Sequence, residues 1–186
     1  MRDGEFLTRL TIWISFLSYT IGCVFFALGK RLRWDSATRI AWTTGCLSLL
    51  VHMVCAFEFY HNWSQTSAYY ETARQTHEVV GLYWGGGLII NYAVQSLWLV
   101  DVVWWWKAGL DSYRNRPLPL VIAWHSFLIF IIFNATVVFK DGVVRWVGLA
   151  LTVVLCVLWF AITSHWTRPV PPRGSGWVDA QRPNQD

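Results

Sequence analysis

Residues 77–107, HEVVGLYWGGGLIINYAVQSLWLVDVVWWWK, carry no charged side chain between Glu78 and Asp101. At their centre lie Gly85, Gly86 and Gly87, followed by Asn91 and Gln95. Wound as one α-helix at ~1.5 Å per residue, this stretch exceeds the ~30 Å hydrocarbon core of a bilayer. It reads as a tilted transmembrane helix whose small and polar residues face other helices. The rest of the chain is built from similar material. Charged residues are 14% of the sequence, against about 25% in an ordinary soluble domain.

Five apolar segments can be drawn, at 10–28, 40–60, 79–106, 118–139 and 143–164. Each is near or above the ~17–25 residues that span a bilayer. The expected fold is all-α, a polytopic integral membrane protein with residues 1–166 forming a five-transmembrane-helix bundle. Residues 167–186, rich in Pro, Gly and polar side chains, read as a disordered cytoplasmic tail. Read as a lipoprotein signal, the first segment would end at Cys23, but it has Thr20 where such a signal wants a Leu-like residue. Its apolar run continues through Phe26, so it reads as an uncleaved helix.

Orientation follows from the loops. Lys30, Arg31, Arg33 and Arg39, then Lys107, Arg114 and Arg116, then Arg168, Arg173 and Arg182 are ten of the fifteen Lys and Arg residues. Five spans put all three groups on one side. The positive-inside rule then predicts an outside N-terminus and a cytoplasmic C-terminus, in a bacterial-type inner membrane. These cations sit in short loops rather than in a groove or stripe, which argues against nucleic acid as a partner. Cys23, Cys46, Cys55 and Cys156 all lie in apolar segments, so a disulfide framework is not expected.

Gly81-x-x-x-Gly85, continued by Gly86 and Gly87, predicts a face on which another backbone or a flat ligand packs closely. The third helix is therefore expected at the centre, packed through Gly81, Gly85, Gly86, Gly87, Asn91 and Gln95. Asp101 and His125 fall at similar depths on neighbouring helices and are expected to pair, as are His52 and Asn91. At the outer surface, Glu58 and His61 share a helix face, and His77 and Glu78 begin the next span. These four are the candidate metal or proton site, although HEVVG lacks the second His of a zinc-protease motif. Of the 14 Trp residues, Trp104 to Trp106 read as an anchor at one interface, with Trp42, Trp124, Trp159 and Trp166 near the same boundary.

The leading functional expectation is a non-enzymatic accessory or scaffold subunit that binds lipid or another membrane protein. Its motivation is the glycine-rich packing face, together with almost no intramembrane charge. The alternatives are a haem- or metal-binding redox membrane protein using the His and Glu residues, and a proton-coupled small-solute carrier using Asp101 and His125. No nucleophile elbow, phosphate-binding loop or dinucleotide fingerprint is present.

Overall fold

The computed structural model describes residues 2–32 and 35–166, and among these it is all-α with no strand. The expected tail, residues 167–186, and Arg33 lie outside the described residues. Six helices follow in order: α1 Arg2–Leu32, α2 Asp35–Ala56, α3 Gln65–Val80, α4 Gly87–Arg114, α5 Leu118–Phe133 and α6 Gly142–Trp166. A π-helical turn prolongs α2 over Phe57–His61, and another prolongs α5 over Asn134–Val138. Five of these units are long and apolar enough to cross a membrane: Asp3–Ala27, Asp35–His61, Gly87–Gly109, Leu118–Val138 and Gly142–Phe160.

The expected single helix through 79–106 is two helices. α3 ends at Val80, where Gly81 adopts φ +75° and its N–H caps the His77 carbonyl at 2.9 Å. Left-handed glycine immediately after a helix is a standard terminator. Residues 81–86 then cross as irregular chain, and α4 starts only at Gly87. A Cβ on Gly85 would lie 2.5 Å from the Tyr69 carbonyl oxygen, and one on Gly86 would meet the Trp84 ring. Having no side chain to meet the Tyr69 carbonyl, Gly85 thus lets this linker pack back onto α3.

α1 and α2 pack along most of their length, α1 also touches α6, α5 touches α6, and α4 lies against α2 and α3. The expected placement of the glycine-bearing helix at the centre is therefore corrected: α4 is one stave on the flank of α2. It sends Val94, Trp98, Val102 and Trp105 inward at helical spacing, while Asn91, Leu97 and Val100 are exposed. The shared core joins these to Phe16, Tyr19 and Cys23 of α1, Trp42 and Cys46 of α2, Leu128 and Ile132 of α5, and Leu155 of α6.

Three Trp residues, Trp42, Trp98 and Trp105, are at most 3% exposed, so they form core rather than interfacial belt. Trp104 and Trp106 do face outward. The outer surface carries exposed Leu17, Ile40, Ile89, Phe130, Val157 and Phe160, a chemistry suited to acyl chains.

Small residues set the closest approaches. Ser15 donates to the Gly45 carbonyl at 2.9 Å across α1 and α2. Gly148 of α6 faces Thr136 of the second π turn, where a Cβ would overlap the Thr136 side chain. Thr136 is 2% exposed and donates to the Ile132 carbonyl at 2.7 Å, so it has little room to yield. Gly148→Ala is expected to destabilise the bundle by ~1–3 kcal/mol, the usual cost of overpacking. Thermal unfolding in detergent reads this directly, and an unchanged midpoint would show that α6 shifts freely.

Candidate functional sites

The two ends of the bundle carry most of its polar chemistry. At the end where α4 meets α5, the helix breaks at Gly109, which has φ +76° and ψ 174°. The chain that follows folds back over the bundle. Tyr113 stacks on Trp105 with ring centroids 3.9 Å apart and planes 9° apart. Tyr113 then donates its hydroxyl to Asp101 Oδ2 at 2.7 Å, and Trp42 Nε1 donates to the same oxygen at 2.8 Å. Arg116, from the turn before Pro117, places Nη1 2.5 Å from Asp101 Oδ1. Its Nε donates to the Tyr113 carbonyl at 2.9 Å, and its guanidinium lies over the Tyr113 ring at 3.5 Å.

Asp101 is 9% and Arg116 6% exposed, so this ion pair is buried. A buried carboxylate needs a cation and further donors to stay charged, and here it has one cation and two neutral donors. Sequence reasoning counted Arg116 among the loop cations, because a loop ordinarily leaves its Arg in water. The signal that could have found it is the combination of an acidic residue inside an apolar segment with a glycine and an Arg in the next short loop.

His125 is buried beside this network but is not hydrogen-bonded to Asp101. Its Nδ1 pairs with the Tyr19 hydroxyl at 3.0 Å, and its ring stacks on Trp159 at 4.4 Å. Trp42 stands between the two expected partners, bonded to Asp101 and with its ring 5.4 Å from that of His125. The expected Asp101–His125 contact is thus replaced by an aromatic cluster that both residues border. A cleft of about 10 Å³, room for one water, opens among Cys23, Thr38, Trp42, Tyr113, Arg116 and His125.

Midway along the bundle, Gln95 directs Nε2 toward the Cys46 carbonyl at 3.5 Å, while its Oε1 has no protein partner. Trp98 Nε1 is likewise buried without a partner. Both side chains are on α4, one turn apart. The pairing expected between His52 and Asn91 does not form. His52 Nδ1 donates to the Thr8 carbonyl at 2.8 Å, and Asn91 faces outward. α1 begins at Arg2 rather than near Leu10, and this brings Thr8 alongside His52.

At the opposite end the four candidate metal ligands are engaged separately. Glu58 accepts from Trp63 Nε1 at 2.6 Å, helping to hold Asn62 and Trp63 at positive φ after the first π turn. His61 packs on Phe57, and His77 lies edge-on to Tyr83. Glu78 pairs with Arg74, which also bridges Glu71 through two nitrogens at 2.6 and 3.0 Å. Among the described residues no three His, Cys, Asp or Glu side chains gather closely enough to hold a metal ion. All four cysteines are free; Cys23 and Cys46 are buried, whereas Cys156 is exposed. No family model, curated protein or solved structure matches this chain.

Two predictions follow from these contacts. Trp42→Phe and Trp98→Phe delete the same atoms from two buried indoles, but only Trp42 donates to a carboxylate. Trp42→Phe should cost about 2 kcal/mol more than Trp98→Phe in detergent unfolding; equal losses would show that the bond to Asp101 contributes nothing. On α3, hydrogen bonds from Arg74 and Gln75 hold the Glu71 carboxyl below its usual range. Its contribution to stability is complete above the unfolded value of about 4.3 and is lost as pH falls through the depressed folded value. Glu71→Gln should accordingly flatten the acid limb of the Tm–pH curve, and an identical limb would remove this residue from the account.

Proposed function

We propose that this chain is a non-enzymatic membrane component that binds another membrane protein, as an accessory or scaffold subunit, with its N-terminus outside and its C-terminus cytoplasmic. The orientation rests on the Lys and Arg bias of the loops. Arg116 leaves that bias, since its charge is matched by Asp101, but the remaining loop cations keep its sign.

One observation supports the binding role. A groove of about 460 Å³ runs between α5 and α6, walled by Phe130, Phe133 and Phe160 and floored by Ser126, Thr152 and Cys156. Thr152 donates to its own helix at the Gly148 carbonyl, 2.9 Å away, so it presents its methyl rather than an unmet hydroxyl. Aromatic walls over small side chains are what a neighbouring transmembrane helix packs against, because in lipid association depends on close van der Waals fit. The glycine run first expected to make this contact is occupied within the chain: Gly85 and Gly86 are buried against Tyr69 and Trp84.

Filling the groove tests the reading. Extracted in mild detergent, the wild-type chain is expected to run as a complex heavier than the chain with its micelle. The double substitution Ser126→Leu, Thr152→Leu should release it as a lone chain with an unchanged unfolding midpoint. A wild-type chain that is monodisperse and alone would leave the groove without a protein partner.

A further inference from the structure

The two sides of α3 meet different surroundings. Ala68, Tyr69, Thr72, Ala73 and Thr76 recur at helical spacing along its underside. That side rests on the head of α4: a Cβ on Gly87 would lie 3.1 Å from the Thr72 methyl, and one on Gly85 would meet the Tyr69 carbonyl. Ala68 and Ala73 are at most 1% exposed. The opposite side carries Ser67, Glu71, Arg74 and Glu78, and Arg74 bridges the two carboxylates. Water suits that side, since such pairs sit at a solvated surface at little cost.

The underside of α3 runs on past the edge of the bundle. Val79 and Val80 continue the stripe of Thr72 and Thr76 by one more turn, yet they are 43% and 60% exposed. The last turn of α3 therefore overhangs α4. The linker that returns to Gly87 is apolar too, with Leu82, Tyr83 and Trp84 all exposed, and Ile89 is exposed on the first turn of α4. Both ends of this segment are pinned at the same end of the bundle, because one span closes at His61 and the next opens at Gly87. A helix that rests on the head of a span and overhangs it with the same face turns that face toward whatever flanks the span. Beside five spans of this length, the flanking medium is lipid. Aliphatic and aromatic residues at the overhang, with paired ions on the far side, match a helix lying in the headgroup region.

We propose that the end of α3 and the linker after it, residues 79–84, form a lipid-binding surface seated at the boundary between phospholipid headgroups and acyl chains. Val79, Val80 and Leu82 meet the acyl side, Tyr83 and Trp84 lie at headgroup level, and Arg74 with its two carboxylates stays in water. The contact is apolar and aromatic rather than ionic, because the charge of Arg74 is matched within its own helix. This surface rests on the chain being a membrane component and is independent of any partner in the α5–α6 groove.

The test places a nitroxide on single introduced cysteines in the full chain, reconstituted in phosphatidylcholine vesicles. Cys55→Ser and Cys156→Ser remove the native thiols that are not buried. Collisions of the nitroxide with oxygen, which partitions into the bilayer, are compared with collisions with a water-soluble nickel chelate. Val100→Cys, at an exposed position midway along α4, reports the bilayer interior, and Ser67→Cys reports water. Leu82→Cys and Val80→Cys should each give an oxygen-to-nickel ratio severalfold above that of Ser67→Cys and below that of Val100→Cys. Either position carries the result if the other variant fails to fold. A ratio equal to that of Ser67→Cys would put the segment in water, and few collisions with either reagent would mean that protein, such as a second copy, covers it. Both outcomes overturn the proposal, as does a ratio equal to that of Val100→Cys, which would sink the segment into the hydrocarbon core. If Val100→Cys itself matches Ser67→Cys, the membrane reading and the lipid surface fall together. Failure at Leu82 and Val80 alone removes the surface and leaves the five spans in place.

Discussion

An ionised carboxylate inside an apolar bundle imposes a condition that the surrounding chain has to meet. Asp101 is 9% exposed, and its two oxygens take an indole N–H, a phenol and a guanidinium. These partners come from α2, from the last turn of α4 and from the α4–α5 turn. The condition therefore fixes where α4 must break, how the chain after Gly109 folds back and which ring of α2 faces inward. Desolvating either ion alone would cost several kcal/mol, so the pair, its donors and the Gly109 break form one unit.

Around that unit the bundle is held by shape more than by apolar burial. Lipid tails are as apolar as Leu, and helices gain little from hiding Leu against Leu. What distinguishes the interior is a set of rings, Tyr19, Trp42, Trp98, Trp105, His125 and Trp159, in contact at tilted, edge-on or stacked angles. Small residues such as Ser15 and Gly45 bring α1 and α2 close enough for this ring cluster to be shared among the helices. Among the described residues, Nε1 of Trp98, Nε1 of Trp124 and Oε1 of Gln95 are points where that packing leaves polar groups of the bundle unmet.

The end opposite Asp101 follows a different rule. There the ionised side chains lie within reach of water and pair locally, Glu71 and Glu78 on Arg74 and Glu58 with Trp63. Local pairs of this kind steady a helix surface. The glycines of the 81–86 linker then turn the chain from α3 into α4, with buried Gly85 beneath the Tyr69 carbonyl.

The sequence by itself determined the all-α class and five apolar segments of spanning length, because length and hydropathy are local properties of the chain. It also marked Asp101 and His125 as exceptions in apolar surroundings. Only the tertiary structure decided their partners. Depth counted along straight helices brought Asp101 to His125 and His52 to Asn91. The helices instead start early at Arg2, break at Gly81 and Gly109, and insert Trp42 between the expected pair. Partner choice depends on how helices are rotated and where the backbone departs from helical geometry. Those are set by side chains distant in sequence, as when Arg116 reaches Asp101 across a loop that read as solvent-exposed.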